Sequence, residues 1–170
     1  LVASEVDRDL SITWTSIEGA SVPRGTSIAL VAGPLGSLLT AERTILNFLQ
    51  RMSGVATLTR KYVDAVAGSA AKVTDTRKTI PGWRRLDKYS VLVGGGVNHR
   101  IGLYDMAMIK DNHIAACGSI AAAVRRTVES MSKPGTAPPS IEVEVASLDQ
   151  VAEAVECPGI TRIMFDNMTC

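Results

Sequence analysis

Apolar positions in the first forty residues alternate weakly and are punctuated by glycine and serine, as in SITWTSIEGASVPRGTSIALVAG, which predicts short strands with turns around Gly19 and Pro23-Arg24-Gly25. Behind Thr40 the period lengthens. Ile45, Phe48, Leu49, Met52, Val55, Ala56, Tyr62, Val63 and Val66 recur at helical spacing, which predicts one long helix that Gly54 could interrupt. From residue 72 the rhythm becomes strand, helix, strand, helix. KVTDT predicts a strand, and Pro81 suits the first turn of a helix through GWRRLDKYSVLV. MAMIK predicts a second strand, followed by a helix from about Ser119 through Ile120, Val124, Val128 and Met131. Residues 133–140, KPGTAPPS, read as a loop and IEVEV as the third strand. Ser147 with Gln150 forms a capping box for SLDQVAEAVE, and TRIMF is the fourth strand.

Repeated strand-helix units imply parallel strands with helices packed outside them, in an open sheet or a closed barrel. Asp75-Thr76-Arg77-Lys78, Lys110-Asp111-Asn112-His113 and Asp166-Asn167 follow three of the strands, and Glu142 and Glu144 lie within another. Polar residues at every strand end favour a β/α barrel, whose strand ends converge on one mouth, over an open sheet that recruits only its switch point. The expected class is therefore α/β. Residues 1–40 read as the tail of a separate β-containing region, 41–71 as a long linking helical segment, and 72–170 as the first four units of a parallel β/α barrel. Four units cannot close a barrel, so the C-terminal half-barrel is expected to be missing; the opening Leu1 suggests a missing beginning as well.

Composition narrows the classes further. With 46% hydrophobic but only 4% aromatic residues, the core must be built from Ala, Val, Ile, Leu and Met. No run approaches the roughly 18 apolar residues of a membrane span, and no basic segment with an apolar stretch marks a secretory signal. Cys117, Cys157 and Cys170 are odd in number, far apart and form no CxxC pair, which points to a reducing, cytoplasmic setting rather than a disulfide framework or zinc site. The net charge of +1 hides an asymmetry: residues 72 to 110 hold eight Lys/Arg against three Asp/Glu, and 129 to 167 hold two against seven. Nucleic acid is a poor fit, because the few aromatics are not interleaved with the basic residues and the isoelectric point is about 7.9.

Arg77, Lys78, His99, Arg100 and Lys110 could be a solvated basic face, since such residues are mostly exposed. Arg77, Lys78 and Lys110 nevertheless stand at strand ends, where cationic forks suit carboxylate or phosphate. Arg84, Arg85 and Lys88 read as the wet face of a helix that buries Trp83, Leu86 and Tyr89. In IEVEV, Ile141, Val143 and Val145 share one face and Glu142 and Glu144 the other. Two carboxylates in a buried layer need partners. Glu142 suits an internal salt bridge, whereas Glu144 with Asp166 could hold hydroxyls or a divalent cation. Gly94-Gly95-Gly96 reads as a helix end with a left-handed glycine, not a phosphate loop, because no strand precedes it. His99 and His113 lack companions at zinc-ligand spacing.

Together ERTILNFLQRMSG, DTRKTIPG, KYSVLVGGGVNHRIGLYDMAMIKDNHI, IEVEV and MFDNM give a chain that resembles the quinolinate phosphoribosyltransferase family, also called nicotinate-nucleotide pyrophosphorylases (carboxylating). The resemblance implies that residues before Thr40 end an N-terminal α/β sandwich domain. It also implies a reaction in which quinolinate and phosphoribosyl pyrophosphate give nicotinate mononucleotide, pyrophosphate and carbon dioxide, with magnesium, in NAD synthesis. By position Arg77, Lys78, His99, Arg100 and Lys110 match the family's basic pocket, with Lys78 and Lys110 near the chemistry. Glu144 and Asp166 match the acidic pair near the ribose hydroxyls and magnesium. Arg43 matches an arginine given to the neighbouring subunit's pocket, so a homodimer or higher even oligomer is implied. Thr79-Ile80-Pro81-Gly82 departs from the family's Thr-Thr-Pro-Gly, and the glycine-rich 5′-phosphate elements would lie beyond Cys170. Two other readings are a relative taking a different anionic heterocycle, such as the molybdenum-operon homologue, and a non-catalytic subunit of the same shape. Retention of the basic set from Arg77 to Lys110 argues against both.

Overall fold

A computed structural model describes residues 1–132, 135 and 137–169. Lys133, Pro134 and Thr136 of the expected loop, and Cys170, lie outside the described residues. The chain divides into two compact units, Leu1–His99 and Arg100–Cys170.

In the first unit a short helix α1 (Val2–Val6) precedes strands β1 (Ser11–Trp14) and β2 (Ala29–Ala32). The strands pair antiparallel, Ser11 opposite Ala32 and Trp14 opposite Ala29. The turn expected at Pro23-Arg24-Gly25 is present: the Thr26 amide donates to the Pro23 carbonyl at 3.2 Å, with Gly25 at φ +84°. Helix α2 (Leu35–Ala65) runs 31 residues behind Pro34, so it starts earlier than expected and continues through Gly54. Thr40 is inside it and not ahead of it, and its hydroxyl donates back to the Gly36 carbonyl at 2.8 Å. Ala41, Leu38 and Ile45 on α2 pack against Ala3 and Leu10. The Ser37 hydroxyl donates to Asp7 at 2.5 Å and the Asp9 amide to the same carboxylate at 2.9 Å; these donors hold the Asp7 carboxyl below the usual range.

Residues 72–76 do not form the expected strand. They make one parallel bridge, Thr74 to Val97, supported by the Val97 amide donating to Val73 at 2.9 Å. Pro81 does not open a helix either. The Trp83 amide donates to the Ile80 carbonyl at 3.0 Å and Gly82 has φ +79°, which makes residues 80–83 a type II turn with proline and glycine in its two central places. Helix α3 (Arg84–Val93) follows. Its buried face differs from the expected one: Asp87, Lys88, Ser90 and Val91 are inside, while Tyr89 is 43% exposed. The cause is long-range pairing. Arg51 on α2 grips Asp87 with both oxygens at 2.8 Å from Nη2, and Lys88 reaches Asp75, so two charges turn inward with their partners. Arg85 is exposed as expected, whereas Arg84 is half-buried, its guanidinium 3.3 Å from the Arg77 carbonyl. Trp83 stacks on Phe48 with ring centroids 5.0 Å apart. Tyr89 instead donates its hydroxyl proton to Glu18 at 2.5 Å, a bond that raises its pKa by holding the proton.

The triple glycine ends α3 as predicted. The Gly95 amide donates to Leu92 and the Gly96 amide to Val91, with Gly95 at φ +90°, the double bond of a Schellman cap. Gly94 also lies against α2, where a Cβ would stand 2.5 Å from the Ala56 carbonyl and 2.6 Å from Thr59 Cβ.

In the second unit β3 (Ala107–Ile109), β4 (Ile141–Val145) and β5 (Arg162–Phe165) form a parallel sheet in that order. Ile109 stands opposite Val143 and Val145 opposite Phe165. Ile141, Val143 and Val145 are at most 1% exposed, and they pack with Ile109, Ile120, Ala123, Val124 and Ala154 as the core. Helix α4 (Asp111–Cys117) was not anticipated. It is only seven residues long and mostly exposed, so hydrophobic period gives no signal; the Lys110 amide donating to His113 Nδ1 at 3.0 Å starts it. Helix α5 (Ile120–Met131) begins at Ser119 as expected, its hydroxyl accepting from the Ala122 amide at 3.1 Å. Glu153 of helix α6 (Leu148–Glu156) accepts from the Ile120 and Ala121 amides at 2.9 and 3.2 Å, so one helix caps the other. The Ser147 hydroxyl accepts from the Gln150 amide at 3.2 Å, and Gln150 Oε1 reaches back to the Ala146 amide at 2.8 Å, one residue earlier than the usual box. The architecture is mixed α/β with a parallel sheet. Among the described residues no helix is long and apolar enough to cross a membrane.

Candidate functional site

In the first unit Asp75 is the centre of a buried polar cluster just ahead of Arg77 and Lys78. Its carboxylate takes the buried Lys88 ammonium and the His99 amide at 2.9 Å. With the Asn98 amide nitrogen turned toward its acceptors, Asn98 donates to Asp75 Oδ2 at 2.6 Å and to the Lys88 carbonyl at 2.9 Å. Lys88 Nζ also donates to the His99 carbonyl at 2.8 Å. Two residues past Asp75, Arg77 is half-buried. Lys78 is exposed, and its amide donates to Thr76 Oγ1 at 3.0 Å. Lys78, Thr76 and Thr79 line a small open concavity of about 160 Å³ that also reaches Asp75 and Lys88. His99 is half-buried, and Arg43 is exposed on α2.

In the second unit Lys110 lies just past β3 at the start of α4, and its ammonium stands 2.7 Å from Glu144 on β4. The Lys110 side chain is 41% exposed and Glu144 only 16%, so the pair presents its cationic end to solvent while the carboxylate sits deeper. Glu142 is buried and meets Arg162 on β5 at 3.1 Å, the salt-bridge partner expected of it, but the Arg162 side chain is 55% exposed, so only the carboxylate end is internal. Arg100 donates to the Met106 carbonyl at 3.1 Å. Asp166 follows β5 and is exposed, its amide held by the Val145 carbonyl at 3.0 Å; Asn167 after it has φ +51°. Glu144 is registered against Met164, two residues before Asp166, on the adjoining strand. Among the described residues no three His, Cys, Asp or Glu gather as a metal cage.

Chemically, Lys110 with Glu144 gives a partly exposed cation whose own counter-ion is already at hand. An incoming anion can engage the ammonium while Glu144 remains beside it to accept hydroxyl protons in hydrogen bonds. Sequence reasoning placed Lys110 and Glu144 in the candidate set and the fold joins them. It missed Asp75 and Asn98 and mistook Lys88 for a surface charge. A carboxylate and an ammonium thirteen positions apart on different elements leave no local periodic trace; the only clue was an acidic residue two positions before the Arg77-Lys78 pair.

The sequence matches two family models: the N-terminal domain of quinolinate phosphoribosyl transferase over residues 2–53, and its C-terminal domain over residues 55–170. The chloroplastic nicotinate-nucleotide pyrophosphorylase (carboxylating) of Arabidopsis thaliana is 44% identical over 173 residues, covering 99% of this chain and 49% of the relative. A probable nicotinate-nucleotide pyrophosphorylase (carboxylating) of Synechocystis is 48% identical over 151 residues, covering 89% of this chain and 50% of the relative. The solved nicotinate-nucleotide pyrophosphorylase of Francisella tularensis superposes with TM-score 0.91 at 43% identity, covering 99% of this chain and 58% of that one. The chain thus spans about half the length of the curated relatives it matches.

Proposed function

The chain belongs to the quinolinate phosphoribosyl transferase family, and from that premise we propose that its protein transfers phosphoribose from phosphoribosyl pyrophosphate to quinolinate with decarboxylation, yielding nicotinate mononucleotide, pyrophosphate and carbon dioxide. The observation that carries this reading is the Lys110–Glu144 pair at 2.7 Å, a cation and a carboxylate held together at neighbouring strands of the parallel sheet.

Quinolinate brings two carboxylates, which must be desolvated and oriented so that the ring nitrogen faces the anomeric carbon. Arg77, Lys78, His99 and Arg100 are the cationic or polar groups proposed to offset that desolvation and fix the ring. Lys78 and Lys110 stabilise charge that grows on the departing pyrophosphate. Glu144 and Asp166 hold the ribose hydroxyls and favour the cation-like ribosyl centre. Once the nitrogen is alkylated, the positive ring accepts the electron pair of the breaking carbon–carboxylate bond, and a proton replaces carbon dioxide. No side-chain nucleophile is needed.

Magnesium fits as an ion carried on the pyrophosphate, since such an ion needs one or two protein carboxylates and not a cage. Glu144 on β4 and Asp166 just past the adjoining β5 would meet it directly or through water, and it would neutralise phosphate charge. We also propose that the second unit is part of a β/α barrel, that the catalytic form is an even homo-oligomer in which Arg43 serves the neighbour's site, and that it works in the cytoplasm. The free thiols of Cys117 and Cys157 support a reducing compartment, although plant relatives bear chloroplastic and mitochondrial names.

Calorimetric titration of the native protein and its Arg77→Ala variant tests the role assignment. Quinolinate affinity should fall by a factor of about ten or more, as expected for a lost charge-assisted fork, while phosphoribosyl pyrophosphate binding changes little. Equal weakening of both ligands would sink it.

A further inference from the structure

We propose that the buried Asp75–Lys88 pair, with the exposed Asn98 closing it, forms a positioning clamp whose work is to fix the backbone of His99, and through it the recognition of an aromatic dicarboxylate. The proposal rests on the reading of quinolinate as substrate and adds residues to that site.

The geometry is one-sided in an informative way. Both backbone polar groups of His99 are taken by the same ion pair: its amide donates to Asp75 Oδ1 at 2.9 Å and its carbonyl accepts from Lys88 Nζ at 2.8 Å. Asn98 closes the figure by bridging Asp75 Oδ2 and the Lys88 carbonyl. The side chains of Lys88 and Asp75 are only 2% and 7% exposed. Replacing a buried ion pair by apolar residues of like volume is often neutral or stabilising, so stability alone does not account for one. Here the pair fixes a backbone point that neither the single Thr74–Val97 bridge nor a regular ladder would fix. Asp75 also stands two residues before Arg77, so one carboxylate sets where the Arg77-Lys78 segment and His99 stand relative to each other. A rigid dianion demands such fixed spacing, because positioning groups lose effect when misplaced by about 1 Å.

The test uses the double variant Asp75→Asn with Lys88→Met, which removes both charges at similar volume, and Asn98→Ala, an exposed position whose truncation leaves the ion pair itself in place. The protein has two histidines, so the His99 amide and imidazole signals are readily assigned by NMR. The clamp predicts that both variants shift the His99 amide upfield and broaden its ring signals. It also predicts that quinolinate affinity falls about tenfold in the double variant and about threefold in Asn98→Ala, the smaller loss because the Asp75–Lys88 pair still holds His99 there, with phosphoribosyl pyrophosphate affinity unchanged. If both variants leave His99 signals and quinolinate affinity as in the wild type, and only the melting temperature moves, the clamp is overturned. The His99 signals decide the clamp even if the wild-type protein takes up no quinolinate, a result that would count against the proposed function and not against the clamp.

Discussion

Asp75 carries its carboxylate into the interior of the first unit, and the donors around it explain how that is possible. An ammonium, a backbone amide and a side-chain amide share its two oxygens, while Lys88 gives its own protons to Asp75 and the His99 carbonyl. Removing one member strands the other in a low-dielectric place. Lys88→Met should therefore destabilise the fold by about 3–5 kcal/mol, with adding Asp75→Asn recovering much of that loss, as buried pairs do when both charges go. Urea titration of the two variants gives the comparison; a cost for Lys88→Met below about 1 kcal/mol would place the pair with ordinary surface pairs. At this scale the sequence was only partly legible. Glu142 and Glu144 announced themselves because strand alternation put charges where a buried layer allows none without partners, and Arg162 and Lys110 are those partners. Lys88 looked like any lysine on a helix, since its reason for being inside lies on another segment.

Elements were legible where a local cause makes them. Ser119 and Ser147 start α5 and α6 with the hydroxyl bonds their positions foretell, and β4 follows its period of two. The phase of α3 was misjudged because its buried side is set by Arg51 and Asp75 from outside. Helix α4 escaped because one exposed turn after another, started by His113, leaves no apolar stripe. KVTDT has strand composition but finds just one bridging partner among the described residues, at Val97. Gly54 and Gly94 show how differently the same residue can be used. Gly94 is where α3 touches α2, whereas Gly54 is exposed in the middle of α2, and a methyl group added there would have nothing within 4 Å. Gly54→Ala should then raise stability by about 0.5–1 kcal/mol through helix propensity alone. A thermal melt that falls instead would show that the open face of α2 is covered in the native assembly.

At the scale of the whole molecule, the residues proposed for the chemistry are found in both units. Arg77, Lys78 and His99 belong to the first, and the Lys110–Glu144 pair with Asp166 to the second. The family was legible because long motifs survive in order, and both family domains match in succession along the chain. Assembly was not legible from periodicity, since a shared site depends on a second copy. If Arg43 serves the neighbour, mixing Arg43→Ala subunits with Lys110→Ala subunits should restore part of the activity that each lacks alone, because one intact site can form from opposite chains. Hybrids confirmed by mass spectrometry yet fully inactive would contradict the exchange. The central claim is the coupled transfer and decarboxylation. Its most direct test is to supply the native protein with quinolinate labelled in the 2-carboxylate and to measure labelled carbon dioxide against nucleotide formed. The account predicts equal amounts of both, only when phosphoribosyl pyrophosphate is present; a nucleotide that keeps both carboxylates, or no labelled gas with phosphoribosyl pyrophosphate consumed, would contradict it.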